Sequence, residues 1–124
     1  MIERLKRHHI SFQNAIAGLK YAFSTQPNFL IHFTLSMLVI IVGVLFKITP
    51  IEMTILILTI VIGLSTEMIN TSLESITDLV TEEWRKNAKI AKDVSAGMML
   101  LTAIGAVFIA FIILAPYFIR LFWS

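Results

Sequence analysis

Three long apolar segments constrain the fold of this 124-residue chain most strongly. They occupy residues 29–48, 51–79 and 94–122, and each is at least as long as the roughly 20 residues that cross a bilayer as a helix. Hydrophobic residues make up 57% of the chain and charged residues 15%, which is more apolar surface than one soluble domain of this size can bury. Backbone amides in hydrocarbon must be satisfied within the protein, which favours helices. The sequence therefore predicts an all-α membrane protein, a single domain over residues 1–124 with three transmembrane helices.

A surface helix is predicted before the first apolar segment, over residues 1–25. Within residues 11–24 the apolar side chains recur on one helical face, at Phe12, Ile16, Leu19 and Phe23. Such a segment is too polar to span a membrane and is typical of a helix in the interface plane. Residues 1–9 are polar and basic, and we expect a flexible tail on anionic lipid, or else a phosphate contact through Arg4, Lys6 or Arg7. Pro27 ends or bends this helix.

The distribution of basic residues predicts the topology. Four lysines and arginines precede the first apolar segment and four lie between the second and third, whereas the first hairpin has Lys47 and the C-terminus Arg120. The positive-inside rule then puts the N-terminus and the second loop in the cytoplasm, with the chain in the cytoplasmic (inner) membrane. Basic residues beside apolar segments suit anionic lipid better than nucleic acid. The absence of cysteine excludes a disulfide framework and a thiolate nucleophile or metal site.

A stripe of polar residues on the second apolar segment is the strongest functional signal. At 100° per residue, four side chains fall within about 80° of one another along about 16 Å of helix. These residues, called the polar stripe below, are Glu67, Asn70, Glu74 and Asp78. Carboxylates are costly in hydrocarbon, so they mark a functional site in a membrane segment.

Phosphoryl transfer at the membrane surface is one chemistry that suits the polar stripe. It needs carboxylates for Mg²⁺, cations for the phosphates and a base beside the acceptor hydroxyl. Glu74 and Asp78 lie where the helix leaves the bilayer, which suits a hydrated metal. Lys89 and Lys92 follow a short loop and are expected to face these carboxylates. Glu67 lies deeper, where a lipid hydroxyl would reside, and suits a proton-accepting role.

Two other interpretations of the stripe stay open at this point. In proton-coupled transport, Glu67 would alternate between a proton and a cargo, although this leaves the extension of the stripe to Asp78 unexplained. In a structural role, the stripe would only join helices within an oligomer by hydrogen bonds. His32 of the first apolar segment is expected to be a hydrogen-bonded interfacial histidine rather than a ligand.

Two motifs in the second half of the chain resemble the bacterial integral-membrane diacylglycerol kinase family. The first is the pattern Glu67-x-x-Asn70-Thr-x-Leu-Glu74-x-x-x-Asp78, and the second is Ala91-Lys92-Asp93. Two further motifs are more similar to the undecaprenol kinase branch, namely Asn28-Phe29-x-Ile31-His32 and Lys89-Ile-Ala-Lys92-Asp93.

The resemblance implies a fold, an activity and partners. The family expectation is a homotrimer of three-span subunits with active sites at subunit contacts, in which ATP and Mg²⁺ serve to phosphorylate a lipid alcohol of the bilayer. Undecaprenol is the expected acceptor. The alternatives are diacylglycerol, or a diverged member of low activity with a structural or transport role.

The resemblance also implies roles for individual residues. Glu67 corresponds to the catalytic base and Glu74 to a Mg²⁺ ligand, whereas Lys92 and Asp93 correspond to nucleotide contacts. The polar network of the same site includes Asn70 and Asp78. A gap-free comparison adds further nucleotide contacts at Arg7, Asn14, Glu83, Trp84 and Arg85, although Trp84 is equally an interfacial anchor.

Gln26 departs from the family pattern, which has a second Mg²⁺-binding glutamate at this position. A carboxamide oxygen can coordinate Mg²⁺ but brings no charge, so metal binding should weaken, or ligation should shift to Asp78 or water. Leu30 likewise replaces a residue that is usually polar or basic. The resemblance thus implies a metal site of Glu74 and Gln26 with an altered metal requirement.

Overall fold

A computed structural model describes the backbone of residues 2–122 and the side chains of residues 11–121. Within this part, the chain forms four α-helices, which are α1 (Ile2–Thr25), α2 (Pro27–Leu45), α3 (Pro50–Val80) and α4 (Lys86–Phe122). The helices α2, α3 and α4 are long and apolar enough to cross a membrane. The predicted all-α membrane fold with three transmembrane helices is confirmed, and the homotrimer stays a prediction.

The N-terminal helix is longer than its amphipathic pattern indicated. It begins at Ile2, so the expectation of a flexible tail over residues 1–9 is wrong for residues 2–9. These residues contain neither glycine nor proline, and nothing in them interrupts the helix. The apolar face of α1 is exposed, with Phe12 67% and Leu19 44% accessible, as a helix lying on a lipid surface requires.

A single extended residue, Gln26, separates α1 from α2. Its backbone lies in the β region because a following proline disfavours the helical region, and Pro27 then starts α2. An aromatic cluster holds the two helices together. The ring of Phe23 packs edge-on against those of Phe29 and Phe33, with both centroid distances 4.9 Å.

A tight hairpin joins α2 to α3 and ends at Thr49-Pro50. Helix α2 ends at Leu45, three residues before the predicted end of the span, and Lys47 takes a left-handed conformation with φ 52°. The loop packs tightly against α2 at Gly43. A Cβ on this residue would lie 2.9 Å from Cδ1 of Ile48, which is too close for a larger side chain unless Ile48 shifts. Thr49 and Glu52 then form a capping box at the start of α3.

Glu52 also ties the hairpin to the far end of α4. Its Oε2 accepts hydrogen bonds from the Thr49 amide at 2.8 Å and from the Tyr117 hydroxyl at 2.7 Å. Phe46 stacks on Tyr117 and meets Phe118 edge-on, with centroid distances of 6.3 and 4.6 Å. These contacts therefore hold all three long helices together at the end of the bundle opposite the polar stripe.

Helix α4 starts earlier than the predicted third span. It begins at Lys86, so residues 86–93 continue into the predicted span of 94–122 as one helix, and the polar loop reduces to residues 81–85. At 1.5 Å per residue, α3 and α4 are about 46 and about 55 Å long, more than the ~30 Å of a hydrocarbon core. Both helices therefore extend beyond the bilayer. Their polar ends meet at the loop that joins them.

Among the described residues, few apolar side chains are buried between the helices, and their burial predicts which of them contribute most to the free energy of unfolding. Leu56 is 2% exposed in the core with Ile48 and Ile113, whereas Leu58 on the same helix is 59% exposed. We expect Leu56→Ala to lower the free energy of unfolding by about 2 kcal/mol because it leaves a cavity that its neighbours cannot fill. The matched control Leu58→Ala should change it by less than about 0.5 kcal/mol. Unfolding in detergent micelles measures both, and equal effects would contradict this packing.

Candidate active site

The polar stripe runs from the interior of the bundle to its polar end. Glu67 is 2% exposed and Asn70 7%, whereas Glu74 is half-buried and Asp78 exposed. The predicted stripe thus spans a range of environments within one helix face. Its deep end is dry and its outer end meets water.

Glu67 is a buried carboxylate with an unsatisfied oxygen. Among the side chains that the structure describes, none donates a hydrogen bond to its Oε2. The imidazole of His32 on α2 and the carboxylate of Glu74 lie near enough to act on Glu67 electrostatically. An unpaired polar atom away from water is costly to maintain and usually signals a functional role. Here it leaves an acceptor free for an incoming hydroxyl.

Asn70 connects the deep and outer parts of the stripe. Its Nδ2 donates to Oε1 of Glu74 at 3.2 Å, one helical turn further along α3. Its Oδ1 accepts from the hydroxyl of Ser95 on α4 at 2.6 Å. The sequence patterns did not identify Ser95 as a site residue. The one available signal was its position two residues after the Ala91-Lys92-Asp93 motif.

The charged residues at the start of α4 form two different pairs. Lys92 pairs with Asp78 across the two helices, so one of the two lysines meets the carboxylates as expected. Lys89 meets neither Glu74 nor Asp78, because it pairs with Asp93 four residues later on its own helix. In the loop before α4, Arg85 pairs with Glu83 at 3.0 Å.

A cavity of about 370 Å³ opens between the end of α3, the loop and the start of α4, and we call it the loop cavity. Its volume is in the range of small-molecule sites. Five residues that the family resemblance assigned to nucleotide contacts line it, namely Glu83, Trp84, Arg85, Lys92 and Asp93, together with Asp78 of the predicted polar network. Trp84 is 78% exposed, so its indole face is accessible. The walls present both charges and an aromatic surface.

The other predicted site residues lie elsewhere. The lining of the loop cavity includes neither Glu67, Asn70 and Glu74 nor the residues of the N-terminal side, Asn14 and Gln26. Asn14 is exposed on α1, and the Nε2 of half-buried Gln26 donates to Thr25 Oγ1 at 3.2 Å. The side chain of Arg7 lies outside the part of the chain whose side chains are described.

Two of the described residues could contribute ligands to a metal site. No group of three or more His, Cys, Asp or Glu side chains suited to holding a metal occurs among them. Mg²⁺ does not need one, since it commonly takes one or two carboxylates and completes its shell with waters and substrate phosphates. The half-buried Glu74 and the carboxamide of Gln26 are hard oxygen donors of this kind. The residues present fit Mg²⁺ in that open form.

The Asp78–Lys92 pair should add little stability because both side chains are hydrated, with 55% and 40% of their surfaces exposed. In a double-mutant cycle of Asp78→Asn and Lys92→Met, we expect a coupling energy below about 1 kcal/mol in micelle unfolding. A coupling of several kcal/mol would instead make the pair a structural clamp, and would argue against Lys92 being held available for a ligand.

Comparisons with known proteins identify the family to which the chain belongs. Residues 13–114 match the family described as prokaryotic diacylglycerol kinase. Over 108 residues the chain is 43% identical to a diacylglycerol kinase of Synechocystis sp., covering 86% of this chain and 62% of that protein. Over 112 residues it is 34% identical to an undecaprenol kinase of Bacillus subtilis, covering 90% of this chain and 91% of that protein. The chain thus spans less than two thirds of the first relative and nearly all of the second. The family match over residues 13–114 includes α2, α3 and most of α4. The chain therefore belongs to the prokaryotic diacylglycerol kinase family.

Proposed function

We propose that this protein is a lipid kinase, which transfers the γ-phosphate of ATP to a lipid alcohol within the membrane. One observation carries the proposal within this family. A dry carboxylate with an unsatisfied oxygen, Glu67, lies on the same helix face as the hydrated carboxylates that lead to the loop cavity. The lipid hydroxyl belongs at the dry end and the nucleotide at the wet end.

In the proposed reaction, Glu67, Lys92 and the candidate metal ligands have separate roles. Glu67 accepts the proton of the lipid hydroxyl, whose oxygen attacks the γ-phosphorus of ATP, and the bond from that phosphorus to the bridging oxygen of ADP breaks. Lys92 offsets phosphate charge after exchanging its partner Asp78 for the nucleotide. Bound Mg²⁺, with Glu74 and Gln26 as candidate ligands, would neutralise further phosphate charge.

Undecaprenol is the proposed acceptor and diacylglycerol the alternative. The motifs around His32 and Lys89 favour the undecaprenol branch. The relative named undecaprenol kinase also matches over 91% of its own length. The higher identity to the relative named diacylglycerol kinase keeps the alternative open.

Assembly and orientation complete the proposal. We place the N-terminus and the loop of residues 81–85 on the cytoplasmic side of the inner membrane, because the basic residues concentrate there. We also propose a homotrimer. Asn14 and Gln26 do not line the loop cavity of their own chain, and a site at a subunit contact would let a neighbouring copy supply them.

Transfer of labelled γ-phosphate from Mg-ATP tests the activity. Purified protein in mixed micelles should phosphorylate undecaprenol, or diacylglycerol if the alternative holds. Glu67→Gln should abolish turnover while nucleotide binding persists, because a carboxamide cannot accept the proton. A loss of about 100-fold or more is expected for a general base.

Glu52→Gln is the matched control, since it makes the same change at the opposite end of α3 and should retain turnover below its unfolding temperature. Full turnover in Glu67→Gln would exclude Glu67 as the base. No product with either lipid, from the unaltered protein or from Gln26→Glu, would favour a diverged member with a transport or structural role.

Gln26→Glu tests the altered metal site. A second anionic ligand should lower the Mg²⁺ concentration that gives half-maximal turnover, by about tenfold, or raise the rate. An unchanged Mg²⁺ titration would mean that residue 26 does not ligate metal. Activity that appears only in this variant would identify a kinase scaffold whose metal site has diverged.

A further inference from the structure

Ser95 on α4 makes a hydrogen bond that its neighbours in the site do not make. Within a helix, serine and threonine hydroxyls commonly donate to the carbonyl four residues earlier. Thr66 and Ser72 do so, bonding Ile62 and Met68 of their own helix. The hydroxyl of Ser95 instead crosses to α3 and donates to Oδ1 of Asn70 at 2.6 Å.

The bond determines how the Asn70 amide is oriented. A carboxylate can only accept, so Glu74 requires the Nδ2 side of the amide, and this leaves Oδ1 facing Ser95. Asn70 and Ser95 are 7% and 3% exposed, so little water can replace either partner. Without the Ser95 hydroxyl, Oδ1 would lose the donor that the structure gives it, and the amide could rotate away from Glu74.

Glu74 is therefore held through a chain of two hydrogen bonds that starts on α4. The Nδ2 of Asn70 restricts the rotation of the Glu74 carboxylate by occupying Oε1. Ser95 lies one helical turn after Lys92, so the same part of α4 carries a phosphate-neutralising cation and the support for a metal ligand. Groups that orient a metal ligand commonly change metal affinity 10- to 100-fold when removed.

We propose that Ser95 is a positioning residue, which orients Glu74 for divalent metal through the side-chain amide of Asn70. The inference rests on the proposed function, because it assumes that Glu74 ligates metal. It adds a residue of α4 to a metal site whose candidate ligands lie on α3 and at the start of α2.

The first measurement is independent of ligand and activity. The chain has four asparagines, so selective ¹⁵N-asparagine labelling yields four side-chain NH₂ signals, and Asn70→Gln identifies that of Asn70. In Ser95→Ala the Asn70 signal should shift, and its protons should exchange faster with water. The control Ser72→Ala removes a hydroxyl bonded to its own helix and should leave the signal unchanged. An unchanged Asn70 signal in Ser95→Ala would overturn the inference.

The second measurement asks whether the effect reaches the metal. Mn²⁺ binding to the full-length protein is followed by electron paramagnetic resonance, in micelles with a non-hydrolysable ATP analogue. Ser95→Ala should weaken Mn²⁺ binding about 10-fold and raise the Mg²⁺ requirement for turnover to match. Ser95→Thr, which keeps the hydroxyl, should restore both at least in part.

The outcomes separate this inference from the proposed function. Unaltered protein that transfers phosphate and binds Mn²⁺, with Ser95→Ala identical to it in both, would overturn the inference alone. A shifted Asn70 signal with unchanged Mn²⁺ affinity would make the bond a purely structural contact between helices and would also overturn it. Unaltered protein that neither binds Mn²⁺ nor transfers phosphate would overturn the proposed function, and the positioning role with it.

Discussion

The pairing of α3 with α4 is the contact on which the rest of the structure depends. Lipid chains offer no hydrogen bonds, so polar groups on α3 must find partners within the protein. Lipid chains are also as apolar as leucine, so the hydrophobic effect does not hold helices together in a bilayer. Close packing of small residues and a few interhelical hydrogen bonds must do so instead. The bond from Ser95 to Asn70 is of this kind, in the buried part of the interface.

Three contacts show the register of this helix pair along its length. Glu52 meets Tyr117 at one end, Asn70 meets Ser95 in the interior, and Asp78 meets Lys92 at the polar end. As the residue number on α3 rises from 52 to 78, that of its partner on α4 falls from 117 to 92, as an antiparallel pair requires. This register brings Lys92 level with Asp78. The walls of the loop cavity are the end of α3, the loop and the start of α4, so the cavity lies at the polar end of the helix pair.

The position of the site along the membrane normal has a chemical consequence. Phosphoryl transfer to a lipid joins a reactant that is soluble in water with one that is soluble in hydrocarbon. A helix that leaves the bilayer can offer a dry carboxylate to one and hydrated charges to the other. Glu67 and Asp78 are eleven residues apart on α3, about 16 Å along the helix axis, and differ in this way. The proposed division of roles between them follows from hydration more than from residue type.

Periodicity was sufficient to predict much of this arrangement. Four polar residues at intervals of three and four must share a helix face, and a short loop after them must return a basic helix to the same level. Periodicity could not predict the pairing of Lys89 with Asp93, because a lysine can reach either its own helix or its neighbour and only the rotation of α4 decides between them. Nor could it locate the start of α1 at Ile2, where charge indicated a tail but no residue interrupts the helix.

The sequence by itself determined that the chain lies in a membrane, that three helices cross it and which residues form the polar stripe. The first two depend on the free energy of transferring side chains from water to hydrocarbon, and the third depends on the fixed period of a helix. Only the tertiary structure decided which stripe residues are dry, that Oε2 of Glu67 is unsatisfied and that Ser95 supports Asn70. Those properties depend on how two helices are rotated and shifted against each other. Many small packing contacts determine that rotation together, and no local pattern in either helix specifies it.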